Sequence, residues 1–167
     1  MRSALRITLA LVALAALFGA GSASGSRHAV RPAVTVRTTS LGKVLVDQNG
    51  RTLYLFEKDK RGMSACSGSC AQFWPPMLAR AKARAGARVK RSLLGTIRRP
   101  DGRRQVTYAG HPLYRFSLDM RAGQVKGEGL DDFGAHWYAV SPAGAKIMKP
   151  KQTKGSGSGY PGYGPRG

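Results

Sequence analysis

The feature that most constrains this chain is a short phrase that occurs twice. Residues 53–59 read LYLFEKD and residues 113–119 read LYRFSLD. The same three side-chain types recur 60 positions apart, as Tyr54, Phe56 and Asp59 and then as Tyr114, Phe116 and Asp119. A tryptophan follows each copy, at Trp74 and at Trp137. An internal repeat of this kind predicts an architecture of two similar units.

The residues around each copy predict β-hairpins. Val34, Val36 and Thr38 alternate with more polar residues, which is the two-residue period of a strand. A second strand at 43–46 runs into Asn49-Gly50, where both residues tolerate the positive φ of a tight turn, and 52–56 is predicted to return as its partner. The second copy repeats this order over 103–116, with the turn at Ala109-Gly110. We therefore predict a mainly β fold in which two antiparallel units form one small domain, with a short helix or loop around the cysteines.

Within each copy the tyrosine and the phenylalanine share one face of the strand, because side chains alternate across it. We predict that this aromatic face is buried in both units and that the Arg115 side is partly exposed to solvent. The two aspartates lie outside the alternation, where a short acidic side chain closes a turn by accepting hydrogen bonds from backbone N–H groups.

Composition predicts the boundaries of the domain. Arg2, Arg6 and the apolar run 7–18, followed by small residues, predict a signal peptide over 1–23 and therefore export. A flexible lead-in follows at 24–33, and the folded domain is predicted at 34–148. Within it lie repeat 1 at about 40–79, a basic linker at 80–99 and repeat 2 at about 100–144. The tail 149–167 is rich in Gly, Ser, Pro and Tyr and is predicted to be disordered.

Charge points to the class of partner. The formal net charge is +20, and the basic residues are dense between 80 and 104. This charge predicts binding to an anionic cell-envelope polymer or an anionic membrane surface. Specific nucleic-acid binding is not predicted, because the segment has almost no aromatic residues to stack on bases. The candidate anion-binding residues are Arg80, Lys82, Arg84, Arg88, Lys90, Arg91, Arg98 and Arg99.

The chain resembles a family of bacterial secreted repeats, often called predicted lipoproteins, that carry a Tyr-x-aromatic-x-x-Asp signature. The resemblance lies in both signature copies, in the SACSGSCAQFWPP segment and in the GLDDFGAHWYAVSPAG run, and it covers nearly all of residues 40–144. It implies a secreted protein whose biochemical role is not established. Many relatives are anchored through a lipid on a cysteine after the signal peptide. This chain has no cysteine there, so a lipid anchor is not predicted.

The two cysteines leave alternatives open. In an exported protein Cys66 and Cys70 are predicted to form a disulfide. They are also candidate ligands of copper or another soft metal, for which paired thiolates are suited, or a reactive redox pair. The candidate third ligands of such a metal are Met63, Met120, His111 and His136. The second function that we consider is therefore an extracytoplasmic copper or electron-transfer protein.

Two further sites are weighed against a structural role. The signature aromatics are candidates for stacking on a sugar or a planar cofactor, but a duplicated fold repeats its packing residues first, and this favours a structural role. Glu128, Asp131 and Asp132 are candidate calcium ligands, although their spacing does not match an EF-hand. No nucleophile–base motif is recognisable, so we predict no catalytic residue, no required cofactor and no enzymatic activity. The leading interpretation is a non-enzymatic cell-envelope module.

Overall fold

The computed structural model describes residues 33–80 and 82–148. The predicted signal peptide, nearly all of the lead-in and the tail 149–167 lie outside these residues. No helix in the described part is long and apolar enough to cross a bilayer.

The described chain forms nine strands and one short α-helix. The strands are β1 (Ala33–Thr39), β2 (Gly42–Asp47), β3 (Tyr54–Phe56), β4 (Arg84–Ala85), β5 (Leu94–Arg98), β6 (Arg104–Tyr108), β7 (His111–Pro112), β8 (Asp131–Asp132) and β9 (Ala135–Ala139). The helix α1 (Ser69–Phe73) lies between β3 and β4, and a 3₁₀ turn (Arg91–Leu93) leads into β5. The predicted mainly β, two-unit fold with a short helix at the cysteines is confirmed.

The described strands form three small sheets, in the orders β2-β1-β4, β3-β9-β8 and β5-β6-β7. Every pairing is antiparallel except β1 with β4. The two longest hairpins are equivalent: β1–β2 belongs to the first unit, and β5–β6 lies about 60 residues later in the second. The predicted basic linker therefore ends in a strand, because β5 is the second unit's counterpart of β1.

The turn that follows β2 and the turn that follows β6 have different backbone geometry. At the first turn only Gly50 has a positive φ, of 76°, and its N–H donates to the Asp47 carbonyl. At the second turn both Ala109 and Gly110 have a positive φ, of 51° and 84°. Asn49 tolerates a positive φ but does not adopt one, and its N–H donates to Asp47 Oδ1 at 2.8 Å.

Each unit forms backbone hydrogen bonds with a segment of the other unit. Strand β3 of the first unit pairs with β9 of the second, with Phe56 opposite Trp137. In the reciprocal contact, Arg115 N–H donates to the Pro75 carbonyl, and Ser117 N–H donates to the Phe73 carbonyl. The sequence predicts that residues 52–56 pair with β2. Only the start of this segment does so, through a bridge between Thr52 and Val46. Each unit is completed by the segment around the other unit's tryptophan.

The equivalent tyrosines lie at the centre of this exchange. Tyr54 N–H donates to the Tyr114 carbonyl at 2.9 Å, and Tyr114 N–H donates to the Tyr54 carbonyl at 3.0 Å. Two equivalent residues that bond each other reciprocally lie on opposite sides of an approximate two-fold axis. The internal repeat of the sequence is thus an internal symmetry of the fold.

Both faces of β3 are buried. Tyr54 and Phe56 point into one cluster with Trp74, Trp137 and the disulfide, whereas Leu53 and Leu55 point into a second cluster with Met77, Val106 and Leu113. The prediction of a buried aromatic face holds in both units. On the other face of the second copy, the Arg115 side chain is 24% exposed and pairs with the buried Asp47 carboxylate at 2.5 Å.

Residues 82–90 form no helix, although AKARAGARVK is a helix candidate by composition. The short strand β4 pairs instead with the start of β1, and Gly86 N–H donates to the Val34 carbonyl at 2.7 Å. A Cβ at Gly86 would lie 2.9 Å from the Thr35 Cβ. Glycine is therefore required at position 86 for a close backbone approach.

Candidate functional site

The doubled signature builds the contact between the two units. The Tyr54 hydroxyl donates to Asp119 Oδ2 at 2.5 Å, and the Tyr114 hydroxyl donates to Asp59 Oδ2 at 2.8 Å. Each tyrosine therefore bonds the aspartate of the other copy. The second carboxylate oxygen of each aspartate accepts a backbone N–H, from Ala65 for Asp59 and from Lys126 for Asp119. The aspartates thus close their own turns and join the two copies at once.

Burial shifts the titration of these groups. It raises the pKa of the Tyr54 hydroxyl, and the Asp119 carboxyl raises that pKa further. Burial and the nearby Asp59 charge raise the pKa of Tyr114 in the same way. Burial also raises the pKa of Asp59 to about 6, against the opposing effects of hydrogen bonds from Ala65 and Tyr114 and of the Arg99 charge. Both tyrosines therefore remain protonated donors over the ordinary pH range.

The remaining signature aromatics form one stack of four rings. Phe56 stacks on Trp137 at 4.0 Å between ring centroids, Trp137 on Trp74 at 3.9 Å, and Trp74 on Phe116 at 4.4 Å. Each phenylalanine thus packs on the tryptophan of the other unit. The tryptophans and Tyr54 are fully buried and Phe116 is 6% exposed, so none of these rings offers an open face to a sugar or a planar cofactor.

The acidic 128–132 loop supports this stack. Asp132 accepts hydrogen bonds from both indole N–H groups, through Oδ2 from Trp74 and through its backbone carbonyl from Trp137. Glu128 Oε2 accepts the Ala139 N–H at 2.8 Å. Two of the three candidate calcium ligands are therefore engaged in holding the core.

Cys66 and Cys70 form the predicted disulfide, which ties the residues before α1 to Cys70 on the helix itself. Their sulfurs are bonded to each other and so are not thiolate ligands in this structure. Of the candidate third ligands, Met63 and Met120 are exposed, His111 lines a cleft that also contains Asp59, and His136 lies beside Glu57. Among the described residues, no group of three or more His, Cys, Asp or Glu side chains is placed to hold a metal.

Arg99 does not belong to the exposed basic surface, and its prediction as an anion-binding residue is wrong. The residue is only 4% exposed. Its guanidinium donates to Ser64 Oγ, to Gln105 Oε1 and to the Cys66 carbonyl, at 2.7, 2.5 and 2.6 Å. Arg99 therefore ties the disulfide loop to the β5–β6 hairpin, and sequence reasoning missed this role because the residue stands in a run of basic side chains.

The other predicted basic residues, with the neighbouring Arg104, are exposed. We call this set the exposed cations: Arg80, Lys82, Arg84, Arg88, Lys90, Arg91, Arg98 and Arg104. None of them takes part in the ion pairs of the described residues, which use Arg99, Arg103, Arg115, His136 and Lys146. Their positive charge is therefore not neutralised within the described part of the protein.

Three of these cations are brought together by strand pairing. Arg98 on β5 lies directly opposite Arg104 on β6. The Arg104 carbonyl accepts the Ala79 N–H on the other side of β6, and this places Arg80 beside the same strand. Arg80, Arg103 and Arg104 line a surface cleft of about 610 Å³ whose apolar part is Leu78 and Ala79. We call it the arginine cleft.

The only acid within the basic segment is Asp101, at the tip of the β5–β6 hairpin. Its carboxylate accepts hydrogen bonds from the Arg103 side chain at 3.0 and 2.7 Å. These bonds lower the pKa of Asp101 to about 2, and the same contact raises the pKa of Arg103. Asp101 thus pairs with Arg103 and Arg99, and among residues 33–80 and 82–148 no acid pairs with Arg80, Arg98 or Arg104.

Comparison with known proteins agrees with this description. A search of curated proteins and a search of solved structures each return no match to the chain. A family model described as a secreted repeat of unknown function matches the chain twice, over residues 35–77 and 95–141. The second match begins at β5, five residues before the start predicted for repeat 2, and the description as secreted agrees with the predicted export. The two matches cover more than half of the sequence, and the chain therefore belongs to this family of secreted repeats.

Proposed function

We propose that the protein is a non-enzymatic module of the cell envelope that binds an anionic surface polymer through the exposed cations of residues 80–104. Membership of a secreted family supports a place outside the cytoplasm. The net charge of +20 supports a polyanionic partner, because such a charge attracts polyanions and accelerates their association. The signature aromatics and Asp119 take no direct part in this binding, since they are buried. The partly buried Asp59 is engaged by the Tyr114 hydroxyl.

The observation that carries the proposal is the cross-strand pair of Arg98 and Arg104. Like charges directly opposite each other on neighbouring strands destabilise a sheet. No acidic side chain of the described residues pairs with either arginine. An anion bound between them would relieve this repulsion, and the nearby Arg80 adds a third positive charge. The arrangement therefore favours a partner that presents several negative charges in a row.

The copper and electron-transfer alternative has less support. It needs two thiolates, and the two sulfurs form a disulfide. An anionic membrane surface would meet the same cations, so vesicles belong in the test as a separate arm. A polymer is favoured because Arg80, Arg103 and Arg104 line a cleft rather than a flat face.

The proposal is tested by calorimetric titration of the protein, without residues 1–23, with a polyanion at several salt concentrations. The substitution Arg98→Gln/Arg104→Gln is compared with Lys43→Gln/Arg121→Gln, which removes the same charge from exposed positions elsewhere. We expect the first variant to bind about 2- to 30-fold more weakly and the control to bind nearly as the wild type, given roughly 0.2–1 kcal/mol for each exposed ionic contact.

Binding should weaken steeply as salt rises, because surface charges are screened. Three results would contradict the proposal: no binding, binding that is indifferent to salt, or equal losses in the two variants. Tighter binding to anionic vesicles than to polymer would replace the polymer by a membrane surface.

A further inference from the structure

A second cleft lies next to the arginine cleft and has a different chemistry. Its volume is about 440 Å³, and its polar lining comes from Ser67, Gln72, Asp101, Arg103 and the buried Arg99. We call it the polar cleft. Arg103 lines both clefts, so the two are neighbours on one surface.

The walls of the polar cleft are held in place by covalent and buried contacts. Ser67 lies in the loop that the disulfide closes, and Gln72 lies on α1 directly after that loop. Asp101 and Arg103 lie on the turn between β5 and β6. Buried Arg99 joins the two walls, because its guanidinium donates to the Cys66 carbonyl from the base of that turn. A site built in this way loses little conformational entropy when a ligand binds.

The side chains of the polar cleft can both donate and accept hydrogen bonds. Within the described part of the chain, neither the Ser67 hydroxyl nor the Gln72 amide bonds another residue. A hydroxyl and an amide each combine donor and acceptor capacity, whereas the Asp101 carboxylate only accepts. Hydroxyl groups of a ligand match this mixture. A bare anion fits less well, because it would meet the Asp101 carboxylate, with which Arg99 and Arg103 are already paired.

We propose that the polar cleft binds the hydroxyl groups of a sugar unit whose own or adjacent negative charge enters the arginine cleft. The partner is then an anionic polysaccharide rather than any polyanion. This inference rests on the proposed function and makes it more specific. Arg103 contributes at the boundary, since its Asp101-paired guanidinium lines both clefts.

The test compares two carboxylate polymers, polygalacturonate with hydroxyl groups and polyacrylate without them. Ser67→Ala/Gln72→Ala removes the proposed hydroxyl contacts and leaves the net charge unchanged. We expect this variant to bind polygalacturonate about 5- to 30-fold more weakly, as two lost hydrogen bonds imply. Its affinity for polyacrylate should stay within about 2-fold of the wild type, the range expected where no polymer hydroxyl is contacted.

The same experiment separates the two proposals. Arg98→Gln/Arg104→Gln should weaken binding of both polymers. If both polymers bind the wild type and Ser67→Ala/Gln72→Ala changes neither affinity, or changes both equally, the polar cleft is overturned and the anion site is kept. If neither polymer binds, both proposals are overturned. Because Ser67 and Gln72 are exposed, thermal unfolding of the variant should match the wild type and serves as the folding control.

Discussion

The substitution Tyr54→Phe tests whether the two units depend on each other through the signature. It removes one hydroxyl, which donates to Asp119 Oδ2 at 2.5 Å and accepts the Gly127 N–H at 3.3 Å. Asp119 is fully buried, so water cannot replace the lost donor. An unsatisfied buried acceptor costs roughly 1–3 kcal/mol, and we expect a loss of about 2–3 kcal/mol in the free energy of unfolding.

The equivalent substitution in the other copy should cost less. Tyr114 donates to Asp59, whose side chain is only partly buried and can accept water instead. We therefore expect Tyr114→Phe to cost about 0.5–1.5 kcal/mol. The two positions are related by the internal symmetry, so each variant serves as the matched control for the other.

The assay is equilibrium unfolding in urea, followed by tryptophan fluorescence, with the midpoint of thermal unfolding as a second readout. A loss of 2 kcal/mol in a domain of this size lowers Tm by on the order of 5–12 °C. A cost below about 0.5 kcal/mol for Tyr54→Phe would refute the reasoning, since the smallest penalty for an orphaned buried acceptor is about 1 kcal/mol. So would a larger loss for Tyr114→Phe than for Tyr54→Phe.

Three further predictions follow from the same contacts. Because folding raises the pKa of Asp59 from 3.8 to about 6, its stabilising contribution is complete below about pH 4 and is lost as pH rises through 6; Asp59→Asn should remove this part of the pH dependence of Tm. Gly127→Ala should lower stability by about 1–3 kcal/mol through overpacking, because the new Cβ would lie 2.7 Å from the Trp74 ring, and urea unfolding that matches the wild type would contradict this contact. Arg99→Gln should destabilise the fold by about 2–4 kcal/mol, because it removes two buried hydrogen bonds and one partly buried one, yet polyanion affinity measured well below its Tm should change less than in Arg98→Gln.

The sequence was sufficient to predict the architecture of the two units. The doubled signature and the alternation in β1 and β6 depend on local order along the chain, and the fold keeps that order. The positions of α1 and of the turn at Ala109-Gly110 follow from the same local signals. The disulfide follows from the predicted export of a chain with two cysteines.

The pairing between the copies could not be predicted in this way. A repeated tyrosine and aspartate suggest that each copy bonds within itself, whereas Tyr54 bonds Asp119 across the symmetry axis. Local patterns carry no information about which copy supplies the partner strand. Arg98 and Arg99 illustrate the same limit, because neighbours in one basic run point to opposite faces of the hairpin, one exposed and one buried. Alternation from the buried Leu94 would place Arg98 rather than Arg99 on the buried face.

The central claim is that function lies on the surface around the β5–β6 hairpin and not in the doubled signature. Amide NMR spectra, recorded while oligogalacturonate of defined length is added at physiological salt, test it most directly. We predict saturable shifts concentrated at residues 67–72, at Arg80 and at 98–104. Shifts centred instead on the cleft lined by Glu57, Asp59, His111 and Lys146, or the absence of saturable shifts, would contradict the account.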